Sequence, residues 1–265
     1  MIIVEGVELA SGLVGLGRQW PPDSIKPIPT EEEADLFLTK AVNEGIRFFD
    51  TAPAYGSSEA RLGNFLRRRK PKPDLIVATK VGEYWDPETN QSFVDHSFIG
   101  MKSSYQASKR KIGRIDILLL HKSTKSVINS SEFNEFAEYC LKDGVEHNGV
   151  EHIGASVSDL ETAEAALNNS VISYLQLPYN HQSSQFREVI QIAQKMGKVV
   201  VVNRPFSSGR LFADISPADA DQARIEAFSY ILQDLNKGFI LTGTTDHSHL
   251  RQNINAFNQA LRQYR

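Results

Sequence analysis

Cysteine is almost absent from this chain, because Cys140 is the single one among 265 residues. A lone thiol excludes an internal disulfide, and the run EFAEYCLK around it is typical of a helix that half-buries a small side chain. No run approaches the roughly 18 apolar residues of a membrane span, and the N-terminal MIIVEGVELA lacks a charged segment followed by an apolar signal core. We therefore expect no membrane association and a reducing, cytoplasmic location.

An excess of one charge is also lacking, since 29 Lys and Arg stand against 32 Asp and Glu, for a formal net charge of −3. Domains that bind nucleic acid by neutralising phosphates are usually clearly basic, so we expect no nucleic-acid partner. Hydrophobic residues make up 41% and charged residues 23%, which is ordinary globular usage and predicts a substantial core. No low-complexity tract or long linker divides the chain. We expect one domain over residues 1–265, as a monomer or a weak homo-oligomer.

Eight short apolar runs recur along the chain and predict strands. They are GLVGLG at 12–17, IRFFD at 46–50, LIVATK at 75–80, IDILLLH at 115–121, EHIGAS at 151–156, ISYLQL at 172–177, KVVVVN at 198–203 and FILTG at 239–243. Because these runs are apolar on both faces, they are typical of buried parallel strands.

Helix signals lie between these runs. Thr30 followed by Glu33 is a capping-box pattern, Gly45 can end that helix in a left-handed conformation, and Ser158 with Glu161 repeats the box. Two apolar stripes at helical spacing are Phe186, Val189, Ile190 and Ala193, closed by Gly197, and Leu250, Ile254, Phe257 and Leu261. Eight βα units in about 250 residues predict an α/β fold, a (β/α)₈ TIM barrel, rather than a doubly wound sheet.

Ionisable residues collect where the predicted strands end. Asp50, Lys80 and His121 close the second, third and fourth runs, and Tyr55 follows in the loop TAPAYG. The carboxyl ends of barrel strands carry the active site, so these side chains are expected on one rim. An ammonium favours the phenolate of a nearby tyrosine and lowers its pKa, and a carboxylate keeps the lysine charged. An imidazole can orient a carbonyl oxygen or pass a proton, which makes the four a plausible proton-transfer unit.

The segment GIRFFDTAPAYGSSEARLGNFL at 45–66 resembles the signature of the aldo-keto reductase superfamily. IVATK, IDILLLH, VEHIGAS, YLQLPYN, VVVNRPFSSGRL and ILTGTTDHSHLRQNI resemble its later blocks in order, so the resemblance spans nearly the whole chain. It implies a barrel that binds NADP(H), less often NAD(H), and transfers hydride to or from a carbonyl or alcohol carbon. It further implies Tyr55 as the general acid in reduction, Lys80 depressing its pKa, Asp50 paired with Lys80, and His121 positioning the substrate oxygen.

The resemblance also assigns residues around the cofactor. The implied cofactor residues are Gly17, Arg18, Asp50, Ser156, Gln176, Asn203, Arg204, Pro205, Phe206, Gly209, Gly243, Thr244, Thr245, His249 and Asn253. Asn203 and Arg204 stand where many members place an aromatic residue or a small polar pair. His249 stands where members that select NADP(H) often carry a base. The expected preference for NADP(H) therefore comes from the family alone. Candidate walls of the substrate pocket are Trp20, Tyr84, Trp85 and Phe206. The chain ends directly after the last expected helix, and we expect a comparatively open pocket.

Two other functions stay open at this point. Some proteins of the superfamily act as regulatory subunits that hold nucleotide as a redox sensor, and the four rim residues do not exclude that role. A metal-dependent barrel hydrolase is the second alternative. None of the seven histidines forms an H-E-x-x-H pair and no set of thiolates exists, so we expect no metal and a small carbonyl compound as the substrate.

Overall fold

The computed structural model describes residues 5–20, 26–69, 74–89, 91–147, 149–213 and 215–264. The strands are β1 (Val7–Gly12), β2 (Phe48–Asp50), β3 (Ile76–Val81), β4 (Glu83–Asp86), β5 (Gln91–Val94), β6 (Ile117–Leu120), β7 (His152–Ser156), β8 (Ile172–Pro178), β9 (Val199–Asn203) and β10 (Gly238–Thr242). Eight of them form a closed parallel barrel in the order β1-β10-β9-β8-β7-β6-β3-β2, and β4 and β5 form an antiparallel hairpin. The (β/α)₈ barrel expected from the sequence is confirmed.

Helices follow the barrel strands on the outside. They are α1 (Val14–Gly17), α2 (Glu31–Asn43), α3 (Ser58–Arg68), α4 (Phe98–Ile112), α5 (Lys125–Ile128), α6 (Ser131–His147), α7 (Leu160–Asn168), α8 (Arg187–Lys195), α9 (Ala220–Leu232) and α10 (His247–Tyr264). Short 3-10 turns cover Pro53–Tyr55, Ser184–Phe186 and Ser207–Phe212. Within the described ranges, no helix is both long and apolar enough to cross a membrane.

Two layers of apolar side chains hold the barrel. Its interior is filled by Ala10, Phe48, Ile76, Ala78, Ile117, Leu119, Tyr174, Val201, Phe239 and Leu241. A larger cluster lies between the strands and the helices, and there Cys140 in α6 is fully buried rather than half-buried as expected. Because the interior is filled, chemistry is confined to the rim at the carboxyl ends of the strands.

The first strand lies before the run that was expected to form it. β1 is VELASG at Val7–Gly12, whereas the apolar run at 12–17 forms the helical turn α1. Leu13 and Leu16, three residues apart, are both buried, which is helical spacing. β1 was not predicted because Glu8 interrupts its apolar pattern. In the structure the Glu8 carboxylate pairs with Arg47 at 3.1 Å.

Helix capping follows the sequence at one site and departs from it at another. Thr30 and Glu33 form the expected reciprocal capping box at α2, and Gly45 has a φ of 91°. Ser158, however, does not cap α7. The cap is Asp159, one residue later, whose carboxylate accepts the backbone N–H of Thr162 at 2.8 Å.

Candidate active site

The four rim residues predicted from the sequence meet at one end of the barrel. Asp50 ends β2, Lys80 is the penultimate residue of β3, His121 directly follows β6, and Tyr55 ends the turn Pro53–Tyr55. Asp50, Tyr55 and His121 line a cavity of about 410 Å³, and the fully buried Lys80 lies against Asp50 and Tyr55.

Gly17 and Gly56 fix the turn that carries Tyr55. A Cβ at Gly17 would overlap the carbonyl oxygen of Tyr55 and the backbone nitrogen of Ser58, and one at Gly56 would overlap the carbonyl oxygen of Gly17. Gly56 also has a φ of 59°, which favours glycine. The two glycines thus allow α1 and the Tyr55 turn to approach closely. Gly17, expected near the cofactor, borders a surface groove beside Arg18 and acts here on the position of Tyr55.

Lys80 and Asp50 form a buried ion pair below the cavity. Lys80 Nζ donates to Oδ1 and Oδ2 of Asp50 at 2.7 and 2.5 Å and to the carbonyl oxygen of Thr51 at 3.1 Å. Burial lowers the pKa of Lys80, but the negative charge of Asp50 outweighs it, so the pKa is raised overall. Lys80 therefore stays protonated, with acceptors at Asp50 and Thr51 and a side-chain hydrogen bond with Tyr55.

The phenol of Tyr55 faces two opposing influences on its pKa. Burial raises the pKa, whereas Lys80, whose Nζ lies 4.8 Å from the ring centroid, lowers it. Burial prevails, and the pKa of Tyr55 is raised above its ordinary value of 10.0. Lys80 was expected to lower this pKa. The contact with Lys80 does act in that direction, but the net shift is upward. The phenol is consequently protonated near neutral pH, as an acid that donates a proton must be.

Ser156 and Gln176 extend this buried network toward the cavity. Ser156 Oγ donates to Oε1 of Gln176 at 3.1 Å, and Gln176 Nε2 donates to Oδ1 of Asp50 at 3.0 Å. Both residues line the cavity and were expected to bind the cofactor. Their mutual contacts fix the direction of the Gln176 amide, so that its orientation depends on the same carboxylate that holds Lys80.

His121 has an acidic neighbour that sequence reasoning missed. Its Nδ1 lies 2.9 Å from Oε2 of Glu83, and Lys122 Nζ lies 3.8 Å from Oε1 of the same carboxylate. Burial raises the pKa of Glu83, but His121, Ser92 and Lys122 together lower it to about 2. Burial lowers the pKa of His121, so the imidazole is neutral and Glu83 is ionised. Glu83 follows Lys80 by three residues, and extending the strand-end search past β3 would have found it.

Most residues expected around the cofactor do border the cavity. They are Arg18, Asp50, Ser156, Gln176, Asn203, Arg204, Pro205, Phe206, Gly209 and Gly243, together with the expected pocket wall Trp20. Thr244, Thr245 and His249 border an adjoining groove, which shares Arg18, Trp20 and Gly243 with the cavity. Cavity and groove therefore lie next to each other, and we refer to the two together as the cleft.

Besides Gly17, three expected site residues lie elsewhere. Tyr84 is not a pocket wall. Successive side chains of β4 point to opposite faces, so Glu83 borders the cavity and Tyr84 points away from it. The ring of Tyr84 stacks on that of Phe93, with 5.0 Å between the ring centroids. Trp85 borders the surface groove on the outer side of Arg18, whose guanidinium lies 4.5 Å from its ring. Asn253 is buried against α9, where its Oδ1 accepts from Arg224 Nε at 3.2 Å.

The loop after β9 borders the cleft with strained backbone. Arg204, Ser207 and Ser208 have φ values of 54°, 50° and 59°, in the left-handed region that residues other than glycine rarely adopt. Such strain concentrates at ligand-binding sites, where the surrounding structure holds it in place. A Cβ built on Gly209 or on Gly243 would meet no atom within 4 Å, so both backbones face open space into which a ligand can fit.

A barrel with this rim matches a known family. The sequence model described as the Aldo/keto reductase family matches residues 8–224. The chain belongs to the aldo/keto reductase family. Among solved structures, an aldo-keto reductase from Pseudomonas aeruginosa superposes with a TM-score of 0.78 at 27% identity, covering 96% of this chain and 90% of that one. An aldo-keto reductase from Bacillus halodurans, at 20% identity, shares the fold with a TM-score of 0.76 over 97% of this chain and 91% of its own.

Curated relatives of this aldo/keto reductase include named dehydrogenases. D-threo-aldose 1-dehydrogenase from a Pseudomonas species is 35% identical over 114 residues, which is 35% of this chain and 34% of the relative. Pyridoxal 4-dehydrogenase from Microbacterium luteolum is 25% identical over 243 residues, covering 77% of this chain and 68% of the relative. The chain thus matches between about a third and two thirds of the length of these relatives.

Proposed function

We propose that this aldo/keto reductase is an NAD(P)H-dependent oxidoreductase that reduces an aldehyde or ketone carbonyl to an alcohol, with Tyr55 as the general acid. The observation that carries the proposal is the buried Asp50–Lys80 pair beneath Tyr55 at the cavity floor. No other group of described residues combines a half-buried phenol, a buried, charged ammonium and an imidazole at the carboxyl ends of barrel strands.

The four rim residues divide the chemistry. Tyr55 donates its proton to the oxygen that becomes the alcohol, because its raised pKa keeps the phenol protonated. Lys80 stabilises the phenolate left behind, and Asp50 keeps Lys80 charged and directed. His121 borders the same cavity and positions a substrate oxygen. Arrangement of these groups in a water-poor site makes their electrostatic effect larger than it is in water.

The cleft fits a nicotinamide dinucleotide. Ser156, Gln176, Asn203 and Arg204 offer polar groups near Tyr55, and Gly209 and Gly243 leave room for the backbone to approach a pyrophosphate. Thr244, Thr245 and His249 extend the cleft for the adenosine end. When bound, such a cofactor supplies or accepts the hydride. For Asn253, which lies against Arg224, a cofactor role stays a prediction.

Resemblance to the family favours NADP(H), and NAD(H) is the alternative. Asp246 also borders the adenosine groove, and it accepts the backbone N–H and the hydroxyl of Ser248 at 2.7 and 2.6 Å. These hydrogen bonds lower the pKa of Asp246, so the groove holds a negative charge, and the cations Arg18 and Lys26 line the same groove. Titration of the protein with NADPH and with NADH, followed by fluorescence, distinguishes the two.

The scope of the proposal follows the family. One relative is named for an aldose and another for pyridoxal, both small carbonyl compounds, which supports a small-molecule substrate. The family match ends at residue 224, and β10 and α10 complete the same barrel, which supports one unit over residues 1–265. The cytoplasmic location and the monomeric or weakly associated state stay predictions.

Replacement of Tyr55 by Phe tests the proposal. Tyr55→Phe deletes the acid and little else, so reduction of 4-nitrobenzaldehyde is expected to fall by about 10²–10⁴-fold while nucleotide affinity stays near that of the wild type. Turnover is measured by oxidation of the reduced nicotinamide. Tyr84→Phe is the matched control, because Tyr84 does not border the cavity.

The outcomes separate the alternatives. Retention of most of the reduction rate by Tyr55→Phe would show that Tyr55 is not the acid. Tight nucleotide binding without turnover in the wild type would favour a nucleotide-binding regulatory subunit. A metal-dependent hydrolase finds no support in the described ranges, where no three His, Cys, Asp or Glu side chains are grouped to hold a metal ion.

A further inference from the structure

Arg18 joins the turn that carries Tyr55 to the β4–β5 hairpin. Its Nη1 donates to the carbonyl oxygen of Ala54 at 3.0 Å. Its Cζ lies 4.5 Å from the centroid of the Trp85 ring, which is close enough for a cation–π contact. Trp20 also faces the guanidinium, but at 5.4 Å and with 41% of its own surface exposed, so Trp85 makes the closer contact.

The hydrogen bond to Ala54 acts on the backbone of Tyr55 itself. The carbonyl group of Ala54 and the N–H of Tyr55 belong to one planar peptide unit. Arg18 holds the oxygen of this unit, and the N–H at its other end donates to the carbonyl oxygen of Ala52 at 2.9 Å. Within the described ranges, no other side chain hydrogen-bonds to the backbone of Pro53–Tyr55. Loss of the bond from Arg18 would leave the unit held at one end only, and rotation of the unit would displace the phenol.

Trp85 restricts the side chain of Arg18. An arginine side chain has many rotamers, so a single hydrogen bond at its end fixes it only weakly. Stacking of the planar guanidinium on an aromatic ring removes much of that freedom. Trp85 is itself half-buried, and it follows Tyr84, whose ring stacks on that of Phe93 and so holds the hairpin together. Trp85 borders the surface groove and not the cavity, so it contacts Arg18 without lining the site of the chemistry.

We propose that Trp85 is a positioning residue that acts through Arg18 on the Ala54–Tyr55 peptide unit, so that the β4–β5 hairpin sets the alignment of the general acid. This inference rests on the proposed function. Misplacement of a catalytic group by about 1 Å can cost about 10²-fold in rate. Arg18 is also expected to border the cofactor, and the two roles are compatible because a guanidinium has several N–H donors. Contact with the cofactor affects nucleotide affinity, whereas positioning of Tyr55 affects the proton-transfer step.

Two replacements of Trp85 separate positioning from folding and from nucleotide binding. Trp85→Leu removes the ring, whereas Trp85→Phe keeps an aromatic face for the guanidinium. We expect the single-turnover rate of 4-nitrobenzaldehyde reduction to fall about tenfold or more in Trp85→Leu and by less than about threefold in Trp85→Phe. The rate is measured on nucleotide-bound enzyme, so that weaker binding, unfolded molecules and product release do not enter. Equal losses in the two variants, or no loss in Trp85→Leu, would overturn the inference.

A double-mutant cycle tests whether Trp85 acts through Arg18. Arg18→Met keeps an unbranched stem but removes the donor to Ala54, and its single-turnover rate should fall about tenfold or more. Trp85→Leu/Arg18→Met should be no slower than Arg18→Met alone, because the contact between the two side chains is already lost. Losses that multiply would show two independent effects and would contradict the inference. Retention of the wild-type rate by Arg18→Met would contradict it as well, even if Trp85→Leu failed to fold.

Phe93→Leu is the matched control on the same hairpin. Phe93 pairs with Tyr84, one position away from Trp85, so it lies on the opposite face, and it is 56% exposed. This variant should keep the single-turnover rate of the wild type. A loss equal to that of Trp85→Leu would mean that a loosened hairpin, and not the contact with Arg18, slows the reaction.

Failure of this inference and failure of the proposed function look different. If the wild type reduces the aldehyde and Tyr55→Phe does not, but the rate is insensitive to Trp85 and Arg18, the positioning role is wrong and the proposed function stands. If the wild type shows no reduction, or Tyr55→Phe keeps the wild-type rate, the proposed function is wrong and the positioning role fails with it.

Discussion

At the scale of single residues, burial determines what the Asp50–Lys80 contact contributes. Two charges removed from water are costly, and their attraction repays that cost only when both partners are present and hydrogen-bonded. Lys80 is fully buried, and each of its donors has an acceptor. The pair therefore contributes little net stability as a pair, but loss of either partner alone leaves a buried charge without compensation.

Lys80→Met is expected to lower the free energy of unfolding by about 3–5 kcal/mol, because it leaves the Asp50 carboxylate buried and unpaired. It also removes the charge that stabilises the Tyr55 phenolate, so reduction should fall together with stability. Urea unfolding followed by circular dichroism measures the first effect. The double variant Asp50→Asn/Lys80→Met should recover much of the stability and none of the activity.

A matched surface pair provides the control for Lys80→Met. Arg68 lies 2.6 Å from Asp35, but the two side chains are 58% and 37% exposed. Arg68→Met should change stability by less than about 1 kcal/mol, because exposed ion pairs contribute little. Equal losses in Lys80→Met and Arg68→Met would contradict the role given to burial.

The sequence allowed part of the rim to be predicted at this scale. Asp50, Lys80 and His121 each stand at the end of an apolar run, and parallel strands bring their carboxyl ends to one rim whatever the loops do. Glu83 was missed and Tyr84 was misplaced for one reason. Their positions depend on the β4–β5 hairpin, whose alternation decides which side chain faces the cavity, and no apolar run marks that hairpin.

At the scale of elements, α7 shows that two capping patterns one residue apart can be confused when a helix start is predicted from the sequence. Ser158 with Glu161 and Asp159 with Thr162 are both plausible N-terminal pairs one residue apart. The structure uses Asp159, whose Oδ1 accepts the backbone N–H of Thr162 and whose Oδ2 accepts its hydroxyl at 2.9 Å. An aspartate that satisfies two donors on one residue is favoured over a serine that satisfies one.

Asp159→Ala should therefore destabilise the protein by about 1 kcal/mol, the usual cost of removing an N-cap side chain. Ser158→Ala is the neighbouring control and should fall within the error of the measurement. Chemical unfolding at neutral pH compares the two. A larger loss in Ser158→Ala than in Asp159→Ala would mean that α7 begins one residue earlier than the structure has it.

At the scale of the whole molecule, the sequence predicted the number of barrel strands but not the bounds of all of them. Seven of the eight apolar runs cover most of a barrel strand, because a barrel interior and a helical layer bury both faces of each strand. β1 escaped because Glu8 and Ser11 interrupt its apolar pattern, although Ser11 is buried and Glu8 pairs with Arg47. β1 is thus stabilised by contacts with distant parts of the chain, which its local hydrophobic pattern does not reveal.

Closure of the barrel makes Cys140 a reporter of global unfolding. Its side chain is fully buried between α6 and the strands, and burial raises the pKa of the thiol well above its ordinary value. A thiol must be both ionised and accessible to react, so the native protein should react with 5,5′-dithiobis(2-nitrobenzoic acid) only through opening. We expect the reaction to be slower by about 10³-fold or more than that of a free thiol, and to follow the unfolded fraction as urea is raised.

Val145→Cys places a matched thiol on the same helix. Val145 is 88% exposed, so this variant should release one equivalent of the coloured product rapidly and the second at the slow rate of Cys140. The difference between the two phases measures the protection given by the folded barrel, since both thiols share one helix and one solution. Rapid release of both equivalents without denaturant would show that α6 opens locally, and that its packing against the strands is not part of the cooperative unit.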